Sequence, residues 1–183
     1  MELLERARAL KEIGFFGPGL TESPEELCRM VDFSVCRSFV MTGCGKLPAS
    51  LFFMFDKTSV PDLLGVDIDA QAVAMARELV AKWRLDRIRI EQRDAAQISY
   101  APYDLVYWDP FATPRRNIMH RILETAHPDV TIILRDPFAT GTLLMEPVLP
   151  YLDSRFVVTD ESEGFPGRFR FKHYILRLAP AQP

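Results

Sequence analysis

Hydrophobic and polar positions along the chain follow two alternating periods. Short apolar runs read as buried parallel strands at Ser38–Thr42, Leu63–Asp67, Leu105–Trp108 and Val130–Leu134, and Ile88-Arg89-Ile90 alternates as a further strand. Between them, apolar residues spaced three and four apart predict helices over Leu47–Phe55, Ala70–Trp83, Arg115–Thr125 and Thr142–Tyr151. The second of these is the best specified, with Asp69 at the cap and Ala72, Val73, Ala76, Leu79 and Val80 on one face. The N-terminal stretch has its own pattern. Leu3–Ile13 is helical in spacing and ends at Gly14, Gly17-Pro18-Gly19 forces a turn, and Ser23-Pro24-Glu25-Glu26 starts a second helix. The tail breaks the alternation. Phe156–Val158 and Phe169–Leu178 are two strands joined by the Gly164-Phe165-Pro166-Gly167 turn, with no helix between them.

Strand-helix alternation specifies an α/β fold: a Rossmann-like, mostly parallel sheet covered on both faces, with a C-terminal antiparallel hairpin at one edge. Residues 1–35 are expected to form a short helical cap within the same unit, and residues 36–183 the ligand-binding domain. A length of 183 residues supports one domain with a substantial core.

Charge and composition narrow the partners. A net charge of −3 gives no global attraction to nucleic acid or anionic lipid, and no apolar run approaches the ~20 residues that span a bilayer. Cys28, Cys36 and Cys44 lack metal-ligand spacing, and the histidines are scattered, so no metal site is expected. The first five residues do not read as a secretory signal, and the reading is a cytoplasmic enzyme of small molecules. A homo-oligomer is left open.

The chemistry should lie at the carboxyl ends of the strands, where a doubly wound sheet opens a crevice. The first strand ends in Gly43-Cys44-Gly45-Lys46-Leu47-Pro48. Glycines there permit a sharp turn and close approach of a ligand to the backbone. Pro48 stands where a dinucleotide fingerprint needs its third glycine, and Val40 and Leu47 break a phosphate-binding P-loop pattern. The second strand ends in Asp67, 22 residues after Gly45, a carboxylate at the spacing that accepts two ribose hydroxyls. Ile68 follows it on the rim. Asp94 and Ala95 follow the third strand, where an adenine needs a carboxylate for its amine and a small residue against its ring. A loop aspartate is an equally good account of Asp94. Asp109-Pro110-Phe111-Ala112-Thr113 recurs 27 residues later as Asp136-Pro137-Phe138-Ala139-Thr140, so the two copies should end neighbouring strands at one rim. Trp108, Phe111 and Phe138 then become candidates for contact with a cationic ligand. Arg135 could hold a carboxylate, and Asp109 and Asp136 are the candidate catalytic acids or bases. Cys44 is most simply a small loop residue.

From about Phe39 to Pro150 the chain resembles nicotianamine synthases. The stretches that carry it are Gly43–Pro48, Val66-Asp67-Ile68-Asp69, and Ile132–Arg135 with Gly141, Leu143-Leu144 and Pro147-Val148. The order of strands and helices likewise resembles the class I S-adenosylmethionine (SAM)-dependent methyltransferase fold. The resemblance implies SAM as cofactor or substrate, bound through Gly43, Gly45, Asp67 and Asp94. It further implies chemistry on the aminocarboxypropyl arm of SAM, with release of methylthioadenosine. That family's acceptor-site acids and tyrosine lie in a longer helical region before the glycine loop. Here about 40 residues precede the loop and the first tyrosine is Tyr100, which tilts the expectation toward ring closure as in azetidine-2-carboxylate synthases. Transfer to a small amine, small-molecule methyl transfer and a non-catalytic nucleotide-binding module are the rivals.

Overall fold

The computed structural model describes residues 24–163 and 170–180. The expected helix at Leu3–Ile13, the turn at Gly17–Gly19, the Ser23 cap and the hairpin turn at Gly164–Gly167 lie outside the described residues.

Seven strands form one sheet: β1 (Ser38–Thr42), β2 (Asp62–Asp67), β3 (Ile88–Gln92), β4 (Leu105–Trp108), β5 (Thr131–Phe138), β6 (Phe156–Glu161) and β7 (Arg170–Leu178). Their order across the sheet is β3-β2-β1-β4-β5-β7-β6. The first five pair in parallel, and β7 runs antiparallel between β5 and β6. The chain moves one way from β1 to β3 and then returns to the other side of β1 with β4, so a crevice opens between the carboxyl ends of β1 and β4.

The described helices are α1 (Pro24–Met30), α2 (Ala49–Lys57), α3 (Ala70–Trp83) and α4 (Arg115–Thr125). Strand residues alternate between two cores because successive side chains point to opposite faces. Phe39, Met41, Leu63, Leu105, Tyr107 and Ile133 pack with residues of α1 to α3 on one face. Val40, Leu64, Val66, Val106, Trp108, Ile132 and Leu134 pack with Ile118, Met119 and Ile122 of α4 on the other. A sheet buried on both faces explains the continuous apolar runs in the sequence.

Three departures from the sequence expectation have a clear physical cause. Helix α2 begins at Ala49 rather than Leu47, because Pro48 occupies the position before the helix and its carbonyl accepts the first bond, from Phe52 N–H at 3.1 Å. Strand β5 runs on through Arg135, Asp136, Pro137 and Phe138 instead of stopping at Leu134. The cause is tertiary: β7 supplies partners for the extension, with Arg135 opposite His173 and Phe138 opposite Arg170. Finally, the region from Thr142 to Tyr151 holds short 3₁₀ turns at Ala139–Leu143 and Leu149–Tyr151 in place of an α-helix. Gly141, Pro147 and Pro150 in that stretch oppose a continuous helix.

Candidate functional site

The glycine loop follows β1 directly. Gly43 and Gly45 both have a positive φ, of 65° and 63°, the left-handed region in which a side chain is strained. Gly43 is needed for a second reason. A β-carbon there would stand 3.0 Å from the Ala112 Cβ and 3.1 Å from its backbone nitrogen, so the loop after β4 closes directly on it. Nothing lies within 4 Å of a β-carbon built at Gly45. Cys44, between them, turns inward, is buried, and donates its N–H to Val66 O at 3.0 Å. Burial, with Asp67 and Asp109 nearby, pushes its thiol up to about 12, so it is not a thiolate nucleophile at neutral pH.

Asp67 is held by two amides. Its Oδ2 accepts from Gly45 N–H at 2.8 Å and its Oδ1 from Asp69 N–H at 2.9 Å. Each carboxylate oxygen keeps a further lone pair. The carboxylate is thus fixed in direction and still able to accept two hydroxyl protons from a sugar. Ile68, next to it, is 65% exposed. Asp94 closes the local turn after β3, with Oδ1 accepting from Ala96 N–H at 2.8 Å and Oδ2 from the Gln97 side-chain amide at 3.1 Å. Ala95 is pinned by a bond from the Tyr100 hydroxyl to its carbonyl, at 2.8 Å. Tyr100 is fully buried, and burial raises its phenol above the usual range.

Across the crevice, Asp109 directly follows β4. Its N–H donates to the Thr42 hydroxyl at 3.3 Å, and its Oδ1 accepts from Phe111 N–H at 2.9 Å. That bond orients Phe111, which is 51% exposed and lies 6.2 Å from the ring of Phe171.

These loops enclose a cleft of about 70 Å³, lined among others by Gly43, Asp67, Ile68, Asp94, Ala95 and Phe111. Six candidates chosen from sequence therefore meet at one place. The enclosed part has the room of a few water molecules, so a nucleoside would extend outward over the exposed Ile68 and Phe111. Arg93, which the sequence did not single out, and Thr113, the last residue of the first repeat copy, share the lining. A second cleft of about 550 Å³ adjoins it through Phe111 and Thr113, between the start of α4 and the segment from Leu144 to Tyr151.

Four candidates are placed elsewhere. Trp108 is fully buried in the core against α4, with the Arg115 guanidinium 5.7 Å from its ring centre. Phe138 is the last residue of β5, with the Lys172 ammonium 5.5 Å from its ring. Arg135 is 2% exposed within the sheet, its guanidinium 4.8 Å from the Phe171 ring, and it does not line the cleft. Asp136 is 1% exposed. It forms a buried ion pair with Arg115 at 2.7 Å and accepts N–H bonds from Val148 and Leu149, each at 2.9 Å. A carboxylate so enclosed is structural, and the catalytic role read for Asp136 does not hold. The physical reason is the extension of β5, which carries residues 135–138 into the sheet instead of onto the rim.

Among the described residues, no group of three or more His, Cys, Asp or Glu could hold a metal ion, and no helix is long and apolar enough to cross a membrane. No family model matches the chain, and no characterised protein matches it in sequence. Solved structures do match. MtNAS in complex with MTA and tNA superposes with a TM-score of 0.75 at 17% identity, over 85% of this chain and 58% of that one. A point mutant of MtNAS in complex with S-adenosylmethionine matches with the same score and identity, over 85% of this chain and 60% of that one. A candidate O-methyltransferase from Klebsiella pneumoniae matches with a TM-score of 0.71 at 13% identity, over 97% of this chain and 90% of that one. The chain thus spans about 60% of the length of the MtNAS chain. What strand order, crevice and superposition establish together is the architecture: this chain has the Rossmann-like fold of class I methyltransferases.

Proposed function

We propose that the chain is a SAM-dependent enzyme that transfers the aminocarboxypropyl arm of SAM to a small acceptor, releasing methylthioadenosine. The observation that carries the SAM reading is the convergence of Gly43, Asp67, Ile68, Asp94, Ala95 and Phe111 on one cleft at the point where the strand order reverses. Asp67 would take the ribose hydroxyls, Ile68 and Ala95 the faces of the adenine, and Asp94 its amine. Phe111, at the junction of the two clefts, would offer its face to the sulfonium.

The choice of bond is supported by the resemblance in the glycine loop and by the likeness to MtNAS, whose bound MTA and SAM lie in a chain of this fold. In the proposed step the acceptor nitrogen attacks the γ-carbon of the arm from behind the sulfur, at about 3–3.5 Å. The carbon–sulfur bond breaks and its electron pair stays on sulfur, giving a neutral thioether. The proton of the new ammonium passes to water in the open cleft; Asp109, the acid or base read from the sequence, is 6% exposed and lines neither cleft. The adjoining cleft of about 550 Å³ shifts the reading from ring closure, which needs no acceptor, to transfer.

Methyl transfer is the second reading, favoured by the Klebsiella pneumoniae protein, which matches this chain nearly end to end. Incubation with SAM, alone and with a panel of small amines, followed by mass spectrometry separates the cases. Methylthioadenosine with a linear conjugate supports arm transfer. Methylthioadenosine with azetidine-2-carboxylate from SAM alone returns ring closure. S-adenosylhomocysteine establishes methyl transfer.

A further inference from the structure

The second cleft has a charge pattern that the SAM reading does not use. Its inner wall is the start of α4, an 11-residue helix whose preceding residue is Pro114 and whose first turn has no side-chain cap and no acidic residue. Its first intrahelical bond runs from Ile118 N–H to Pro114 O at 3.2 Å, so the N–H groups of Arg115, Arg116 and Asn117 have no helical acceptor. The sequence puts two arginines at this positive end of the helix, the wrong sign for the helix dipole. Asp136 answers only one of them.

Arg115 is 8% exposed, lines the cleft, and has its guanidinium divided between Asp136 and the carbonyls of Glu146 and Arg135. Its Nε finds no hydrogen-bond acceptor. Arg116 is exposed, and its guanidinium lies over the Tyr151 ring at 4.5 Å. Among the described residues, no carboxylate comes within ion-pair distance of it. The opposite wall is apolar, from Leu144 and Met145. Glu146 is the one acid on the lining, which also carries Arg115 and Arg116, and the uncapped amides favour a negative guest.

We propose that this cleft is the acceptor site, and that it selects a small molecule with an anionic group, carboxylate or phosphate monoester, on an apolar body. The anion sits at the start of α4 against Arg116, and the body lies against Leu144, Met145 and Tyr151. Its reactive end reaches Phe111 and Thr113, where the two clefts meet. The acceptor role rests on the SAM reading of the first cleft; the anion preference does not.

The test follows backbone amide resonances of the full chain while benzoate, phenyl phosphate or uncharged benzyl alcohol is added, with and without saturating S-adenosylhomocysteine. The expected result is that the anions shift Arg115, Arg116 and Asn117, and bind at least fivefold more tightly than benzyl alcohol. Arg116→Ala, on an exposed side chain, should remove that preference and leave S-adenosylhomocysteine affinity unchanged. Whichever anion binds better identifies the group. Equal binding of all three probes, no effect of Arg116→Ala, or shifts confined to the Gly45, Asp67 and Asp94 loops would overturn the anion site. Failure of S-adenosylhomocysteine to bind, with the anion preference intact, would instead overturn the acceptor role together with the SAM reading.

Discussion

Replacing Asp67 by asparagine probes the loop geometry and the ligand at once. The carboxylate accepts Gly45 N–H at 2.8 Å and Asp69 N–H at 2.9 Å. Asparagine keeps one acceptor oxygen and turns an NH₂ toward the other donor. One of the two amides therefore loses its acceptor and meets a second donor. A hydrogen bond to a charged group contributes about 1.5–3 kcal/mol. The half-exposed position of Asp67 argues for a loss at or just below the bottom of that range in the free protein, about 1–1.5 kcal/mol. For a domain of this size that lowers Tm by roughly 2–6 °C. The bound state loses more, because the ribose hydroxyls lose a charged acceptor as well. A further loss of about 1.5–3 kcal/mol corresponds to SAM binding weakened about 10- to 150-fold. Calorimetric titration with SAM and with S-adenosylhomocysteine, beside thermal melts of the ligand-free proteins, measures both terms. A variant that melts lower and binds SAM as tightly as the parent would show that Asp67 only braces the glycine loop, and would refute the ribose assignment.

Three further outcomes are expected. Gly43→Ala puts a side chain at φ 65° and 3.0 Å from Ala112, and should cost about 1–3 kcal/mol in urea unfolding; a neutral result would mean that the loop relaxes freely. Asp136→Ala strands the Arg115 guanidinium in the interior and leaves two amides unanswered, for a loss of about 3–5 kcal/mol; a loss below about 1 kcal/mol would contradict a structural role. Burial holds Cys44 at about 12 against an ordinary 9, so the folded state keeps a proton that the unfolded chain gives up as pH rises past 9. The contribution of Cys44 to stability is therefore complete below pH 9 and lost progressively toward 12. The same burial should leave Cys44 unmodified by iodoacetamide at about pH 8 while the exposed Cys28 reacts, as peptide mapping would show; comparable labelling of both would sink the argument.

The sequence by itself determined what depends on local pattern. Strand β4 and helices α3 and α4 coincide with the runs and caps visible in the chain, because periodicity, an Asp69 cap and terminal breakers act over a few residues. The meeting of Gly45 with Asp67 was legible for the same reason: strand ends in a doubly wound sheet put glycine loop and acid at a fixed sequence interval. The duplicated Asp-Pro-Phe-Ala-Thr shows where local reading stops. At Asp109–Thr113 the five residues leave β4 as a turn that lines the cleft, whereas at Asp136–Thr140 the first three continue β5 and the side chain of Asp136 is buried. The second copy is held in the sheet by β7, with Asp136 opposite Lys172 and Phe138 opposite Arg170, whereas β4 ends before the first copy. The ion pair of Arg115 with Asp136 and the bond from Tyr100 to Ala95 were likewise unreadable in advance. The arginine and aspartate stand on different elements, and the tyrosine reads as an ordinary core aromatic. The second cleft lies between α4 and a segment whose short 3₁₀ turns stand where the sequence pattern predicts a helix. Proline and glycine signal that a helix must break there, but only the packing of that segment against α4 decides what space is left.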